Sequence, residues 1–192
     1  MTADPIRCVR ALTLTATALF ILGCGSDSAS GPSDTDWRLV WEDDFEGPAG
    51  QLPDPANWRF DVGTDWGNAQ LEYDTDRAEN VSLDGAGNLA ITAREEAYMG
   101  QDYTSGRITT KDLFELQNGR FEARIRLPRG QGIWPAFWML GADFDEVGWP
   151  ACGEIDVMEY RGQEPSVVHG SLHGPGYSAG QAITRRFYLT DS

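Results

Sequence analysis

One octapeptide restricts this chain more than any other segment: Gly153-Glu154-Ile155-Asp156-Val157-Met158-Glu159-Tyr160. On a helix turning ~100° per residue, Glu154 would point away from Asp156 and Glu159, so the three acids could not converge. On a strand, Glu154 and Asp156 share a face because side chains repeat every second residue. Glu159 is out of phase by one position, and a β-bulge at Val157-Met158 would return it to that face. Three like charges on one face repel. Something must hold at least one of them protonated or bind all three.

Two chemistries suit such a row. A metal site would use the carboxylates as hard oxygen ligands, but calcium takes six to eight oxygens and usually draws them from a loop. A glycosidase would use two of them as nucleophile and general acid. At ~3.3 Å per residue, Glu154 and Glu159 are ~13 Å apart along the strand once a bulge absorbs one residue. Side chains leaning inward over the shorter Asp156 could close the carboxyl groups to the ~5–5.5 Å of a retaining enzyme. Geometry therefore favours the glycosidase. Taken alone, the segment reads equally well as the polar face of an amphipathic strand.

The surrounding sequence is β throughout. Phe121, Ala123, Ile125 and Leu127 alternate with Glu122, Arg124 and Arg126, which predicts a half-buried strand over 121–127. Val81 and Leu83 lead into the turn Asp84-Gly85-Ala86-Gly87, after which Leu89, Ile91 and Ala93 resume the alternation, a hairpin pattern. Further strands are expected over 37–41, 58–62, 106–110, 136–140 and 167–172, separated by breaks such as Pro53-Asp54-Pro55 and Pro128-Arg129-Gly130. Short strands with frequent turns predict an all-β sandwich or jelly roll. All seven tryptophans follow residue 36, and Trp134, Trp138 and Trp149 crowd the approach to the acidic strand. Core packing is the ordinary fate of a tryptophan. Beside paired carboxylates, flat indoles can instead stack on sugar rings.

The N-terminus has the pattern of an export signal. Arg7 and Arg10 precede an apolar run over 11–22, too short to span a bilayer comfortably. The run ends Ile21-Leu22-Gly23-Cys24, which resembles a bacterial lipobox with Cys24 as the lipidated residue; ordinary cleavage and secretion is the alternative. Residues 1–23 are thus read as a lipoprotein-type signal peptide, 24–36 as a flexible polar tether, and 37–192 as the folded domain. After cleavage only Cys24 and Cys152 remain, so no disulfide framework supports the fold. A formal charge of −15, with Lys111 the only lysine, would repel nucleic acid and anionic membranes. It suits a neutral ligand.

Several runs together resemble glycoside hydrolase family 16, and within it the bacterial laminarinases, endo-β-1,3-glucanases. They are Tyr103-Thr104-Ser105-Gly106-Arg107-Ile108, Gly119-Arg120-Phe121-Glu122-Ala123-Arg124, Gly132-Ile133-Trp134-Pro135-Ala136-Phe137-Trp138-Met139-Leu140 and Trp149-Pro150-Ala151-Cys152 running into the acidic octapeptide. Weaker matches extend from Leu39-Val40-Trp41-Glu42-Asp43-Asp44-Phe45 through Trp66-Gly67-Asn68 to His173-Gly174-Pro175-Gly176-Tyr177. The resemblance implies a concanavalin A-like β-jelly-roll sandwich with a substrate cleft on its concave sheet. It implies Glu154 as nucleophile, Glu159 as general acid/base, and Asp156 between them tuning the nucleophile. Met158 matches the bulged form of the motif found in laminarinases. The implied reaction is double displacement with retention, Glu159 starting protonated with its pKa raised by its neighbours and partial burial.

By the same resemblance, Trp134 and Trp138 match cleft tryptophans, Asn68 and Arg107 match positions that bond sugar hydroxyls, and His173 matches a cleft histidine. His169 is expected to pack or face solvent, and Trp149 to line the cleft or cap the strand. No metal or organic cofactor is required, although family members often hold a structural calcium. Asp44 and the Gly87 backbone fall near two of its usual ligand positions. The family domain continues with further strands beyond Phe187-Tyr188-Leu189-Thr190-Asp191-Ser192, so the domain is expected to be incomplete at its C-terminus. The expected protein is a monomeric, exported, bacterial β-1,3-glucanase, with mixed-linkage β-1,3-1,4-glucan as a further substrate, held to the envelope only through Cys24. An agar- or carrageenan-type galactan hydrolase and a non-catalytic β-glucan-binding protein are the alternatives. The second typically loses the carboxylates, which are all present here.

Overall fold

A computed structural model describes residues 37–190, which divide between Arg124 and Ile125 into two units. The export signal, Cys24 and the tether over 24–36 lie outside the described residues.

In the first unit, short strands are set by their turns. Strands β1 (Arg59–Phe60), β2 (Glu72–Asp74), β3 (Val81–Leu83), β4 (Leu89–Ile91), β5 (Arg94–Tyr98), β6 (Gln101–Ser105) and β7 (Ile108–Thr109) form three small sheets. The β3–β4 hairpin occurs where alternation and glycines predict it, pairing Val81 with Ile91 and Leu83 with Leu89. Its turn is closed by Asp84, whose carboxylate accepts from the backbone N–H groups of Ala86 and Asn88 and from the Asn88 side chain. These bonds, led by that of Asn88, hold the Asp84 pKa below its ordinary value. Strands β5 and β6 form a second hairpin, its turn at Met99 and Gly100 with φ of 49° and 89°. Successive positive φ values are what a tight hairpin turn needs. The parallel partner of β6 is β2, while β1 pairs with β7.

Polar side chains occupy much of this unit's interior. Thr75, Asn80 and Thr104 are fully buried beside Val81. Asn80 Oδ1 accepts from Thr75 Oγ1 at 2.6 Å and from Arg77 at 2.9 Å, and its amide donates to the Thr92 carbonyl at 3.0 Å and to Thr104 Oγ1 at 2.9 Å. Thr104 and Arg77 both donate to Glu96, and these bonds, that of Thr104 first, pull the Glu96 pKa down. Arg77 also lies over the Tyr98 ring, 4.5 Å from its centroid. Each partner thereby fixes the next, and among the described residues no buried side-chain N or O lacks a hydrogen bond.

The second unit contains one antiparallel sheet of four strands, ordered β11-β10-β9-β8: β8 (Ala136–Leu140), β9 (Glu154–Tyr160), β10 (Val167–His173) and β11 (Ile183–Tyr188). A one-turn helix, α1 (Phe144–Val147), precedes the loop into β9. Strands β8 and β10 occur where the sequence predicts them, and β10 runs one residue further. Helix content is minimal, as an all-β chain requires.

Two expectations fail. Residues 121–127 and 37–41 belong to no ladder. Alternation records which side chains face an interior, but a strand is defined by the partner that takes its backbone bonds. The 37–46 segment is held by side chains instead. Trp41 meets Trp58 edge-on with centroids 5.6 Å apart and stacks on Phe114 at 5.5 Å, while Asp43 accepts from Trp58 Nε1 at 2.8 Å.

Truncating Asn80 to Ala removes four hydrogen bonds at a fully buried position and leaves Thr75 and Thr104 short of partners. The expected loss is on the order of 2–4 kcal/mol. Urea unfolding measures it; a loss within experimental error of zero would show that the network does not stabilise the fold.

Candidate active site

The extra residue predicted for β9 is present. Against β10, Glu159 pairs with His169 but Asp156 with Ser171, so three steps along β9 match two along its neighbour. Against β8, Met158 pairs with Phe137 and Asp156 with Trp138, leaving Val157 without a partner. One bulge at Val157 is thus seen from both sides. It returns Glu159 to the face of Glu154 and Asp156 and turns Met158 and Tyr160, both buried, to the other.

Cross-strand partners share a face, so His173, beside Glu154, and Ser171, beside Asp156, point the same way as the acids. Their contacts bear this out. His173 Nε2 is 2.9 Å from Asp156 Oδ2, and Ser171 Oγ donates to Glu159 Oε2 at 3.3 Å and exchanges a bond with Thr184 Oγ1 at 3.0 Å. The backbone N–H of Ala179 donates to His173 Nδ1 at 3.2 Å, which leaves Nε2 as the donating nitrogen toward Asp156. Two indoles complete the row: Trp134 Nε1 donates to Glu159 Oε1 at 3.1 Å, and Trp149 Nε1 to Glu154 Oε2 at 2.6 Å. Trp138 stands beside Asp156 on β8. Small Ala136 stands beside Glu159, leaving space over that carboxyl group.

Six predicted residues therefore gather in the second unit: Trp134, Trp138, Glu154, Asp156, Glu159 and His173. Asn68 and Arg107 belong to the first. Arg107 is paired with Asp61 at 2.9 Å and lies 4.6 Å from the Trp66 ring centroid. Asn68 occupies a left-handed turn position with φ of 54°. Buried Asp74 completes this neighbourhood, its pKa pushed up to about 6 by burial and then by Glu72, against a bond from Trp66 and the charge of Arg107. His169 packs, as expected, buried against Arg161 and Glu164. Sequence reasoning missed Ser171 and Thr184 and left Trp149 open. Only the pairing of β10 with its neighbours identifies the two hydroxyls, whereas Trp149 is placed by its bond to Glu154 from the loop before β9.

Electrostatic strain concentrates on the middle carboxyl. The pKa of Asp156 is raised from 3.8 to about 7, a shift the sequence reading did not assign to it. Burial is the first cause, followed by the charges of Glu154 and Glu159, with His173 opposing. Asp156 is buried, whereas Glu154 and Glu159 are half-exposed.

A Cβ built on Gly87 would lie 3.4 Å from Glu46 Oε1 and 3.5 Å from the Asp44 carbonyl oxygen. Among the described residues no cluster of three or more His, Cys, Asp or Glu is arranged to hold a metal.

A bulged strand with three carboxylates on one face, flanked by indole donors, is a set of side chains suited to acid–base and nucleophilic work on a sugar bond. The family profile for Glycosyl hydrolases family 16 matches residues 61–191, and the chain belongs to this family. The chain is 46% identical over 166 residues to a beta-glucanase of Rhodothermus marinus, covering 82% of this chain and 56% of that protein. It is 42% identical over 143 residues to a glucan endo-1,3-beta-glucosidase of Cryptopygus antarcticus, covering 71% and 51%. It also superposes on the laminarinase catalytic domain of Thermotoga maritima with a TM-score of 0.74 and 44% identity, covering 81% of this chain and 64% of that one. The fold is accordingly an all-β jelly roll. The chain spans a little over half the length of those two relatives and under two thirds of the solved domain.

Because the folded protein holds the Asp156 proton more tightly than an unfolded chain does, this group adds stability that is full below about pH 4. That contribution fades as pH rises and is gone above about 7. Asp156→Asn cannot follow it. The difference in unfolding free energy, variant minus wild type, should climb between pH 4 and 7 and then level off. A difference flat across that window would mean that Asp156 is ionised throughout.

Proposed function

We propose that this protein is a retaining endo-glycosidase that hydrolyses β-1,3-glucan of the laminarin type. The observation that carries the reading is the convergence of Glu154 and Glu159 on one face of β9 with the buried Asp156 between them. In the first step a Glu154 oxygen attacks the anomeric carbon and forms a glycosyl ester. Glu159 transfers its proton to the glycosidic oxygen as the carbon–oxygen bond breaks. In the second, Glu159 takes a proton from water, whose oxygen attacks the same carbon from the opposite side and frees the Glu154 carboxylate. Two inversions give net retention. Asp156, its pKa raised to about 7, would hold a proton part of the time near neutral pH and so reduce the charge of the row. No step runs through a metal.

Trp134 would serve twice, its ring offering a flat apolar face to a sugar and its N–H reaching Glu159. The large negative charge suits a neutral glucan better than a sulfated galactan. A signal of lipoprotein type supports export, with Cys24 as the anchor.

Incubation with laminarin, lichenan, agarose and carrageenan is the direct test. Laminarin should yield short oligosaccharides that first appear as the β-anomer, with lichenan cut more slowly. Products from agarose or carrageenan alone would replace the reading with a galactan hydrolase. Glu154→Gln should abolish hydrolysis while laminarin still retards the folded protein in an affinity gel. Replacing Glu159 by Gln should cost about 10²–10⁴-fold on laminarin, the usual value of a general acid. Undiminished turnover in either variant would remove that residue from the chemistry.

A further inference from the structure

Trp149 is two-fifths exposed, so packing does not account for its placement. Its backbone is fixed nonetheless. The loop between α1 and β9 is closed by bonds from Gly148 N to Phe144 O at 2.8 Å, Cys152 N to Gly148 O at 3.0 Å and Gly153 N to Pro150 O at 3.1 Å. The end of β8 grips the same loop: Gly141 N donates to Gly153 O at 3.3 Å, and a Cβ on Gly141 would fall 2.1 Å from the Cys152 carbonyl. From this base the indole stands 5.9 Å from the His173 ring and delivers its N–H to Glu154 Oε2 at 2.6 Å. His173 in turn holds Asp156, so one aromatic pair steadies two adjacent acids. Among the described residues, Trp149 is the hydrogen-bond partner of the Glu154 carboxylate.

We propose that Trp149 is a positioning residue for Glu154: its indole N–H occupies Oε2, so that Oε1 forms the bond to the anomeric carbon. The proposal rests on the nucleophile role given to Glu154 above. One consequence follows from a donor that bonds the ionised form: it makes the carboxylate a better leaving group when water releases the sugar. A rotating carboxylate would present either oxygen at either angle, and a misplacement of about 1 Å at such a centre can cost on the order of 10²-fold.

Trp149→Phe tests this by keeping an aromatic ring and removing only the donor. On laminarin, kcat should fall about tenfold or more with KM within about twofold, as expected when a charge-assisted bond is lost at the reacting group. A raised KM with kcat unchanged would make Trp149 a wall of the sugar cleft and overturn the proposal. Should Trp149→Phe fail to fold, the intact protein still decides. The indole ¹H–¹⁵N resonance of Trp149 should titrate with one carboxyl group and cease to do so in Glu154→Gln. A resonance indifferent to that substitution refutes the contact. Wild-type protein that leaves laminarin uncut would refute the glucanase reading alone, because the resonance reports the contact without turnover.

Discussion

The gathering of Glu159 with Glu154 and Asp156 depends on one unpaired residue, Val157. Two demands act on β9 together. Met158 and Tyr160 must enter an apolar interior, and Glu154, Asp156 and Glu159 must share the opposite face. A regular strand with period two cannot meet both, because Met158 and Tyr160 would then share the face of Glu154 and Asp156 while Glu159 turned to the opposite one. Inserting one residue resolves the conflict locally, and both flanking strands accommodate it by a single register shift. The alternative outcome, a carboxylate forced among apolar side chains, would cost far more than the ladder bonds that the bulge forgoes.

Bringing the acids together creates the next problem, and burial solves it unevenly. The two outer glutamates are half-exposed and each accepts an indole N–H, which stabilises negative charge without adding a counter-ion that would block a sugar. The inner aspartate is buried, and its pKa rises toward neutrality because it bears both the burial and the repulsion of its neighbours. The shift at Asp156 thus follows from its position in the row rather than from its residue type. His173 limits this by donating to Asp156, so the middle group is not driven to bind its proton at every pH.

How much of this was legible in the sequence depends on the range of the physics involved. The strand, its bulge and the shared face of Glu154, Asp156 and Glu159 follow from side-chain period alone, a local property. The β3–β4 hairpin was readable for the same reason, since Asp84, Gly85 and Gly87 encode the turn. The β5–β6 hairpin was overlooked: Met99-Gly100 is a weaker turn signal, and the charged β5 lacks alternation. Residues 121–127 show the reverse error, a strand pattern with no ladder. Ser171, Thr184 and the donor role of Trp149 were unreadable, because each depends on which residue of another segment lies opposite. The raised pKa of Asp156 was not legible, because burial is its first cause and depth is not a local property of the sequence.

The asymmetry of hydrogen bonding between the two glutamates matches the asymmetry of the roles proposed for them. Glu159 accepts on both oxygens, from Trp134 and from Ser171, and Ser171 is itself bonded to Thr184. A hydroxyl can reverse its donor and acceptor roles by rotation, so this carboxyl keeps a partner whether or not it carries a proton. An acid that must become a base within one turnover needs such a neighbour. Glu154 has a partner of fixed polarity, since an indole N–H donates and never accepts. That suits a group whose oxygens must stay unprotonated, first as nucleophile and then as leaving group. The hydroxyl pair beside one glutamate and the indole beside the other are thus matched to whether each must exchange a proton.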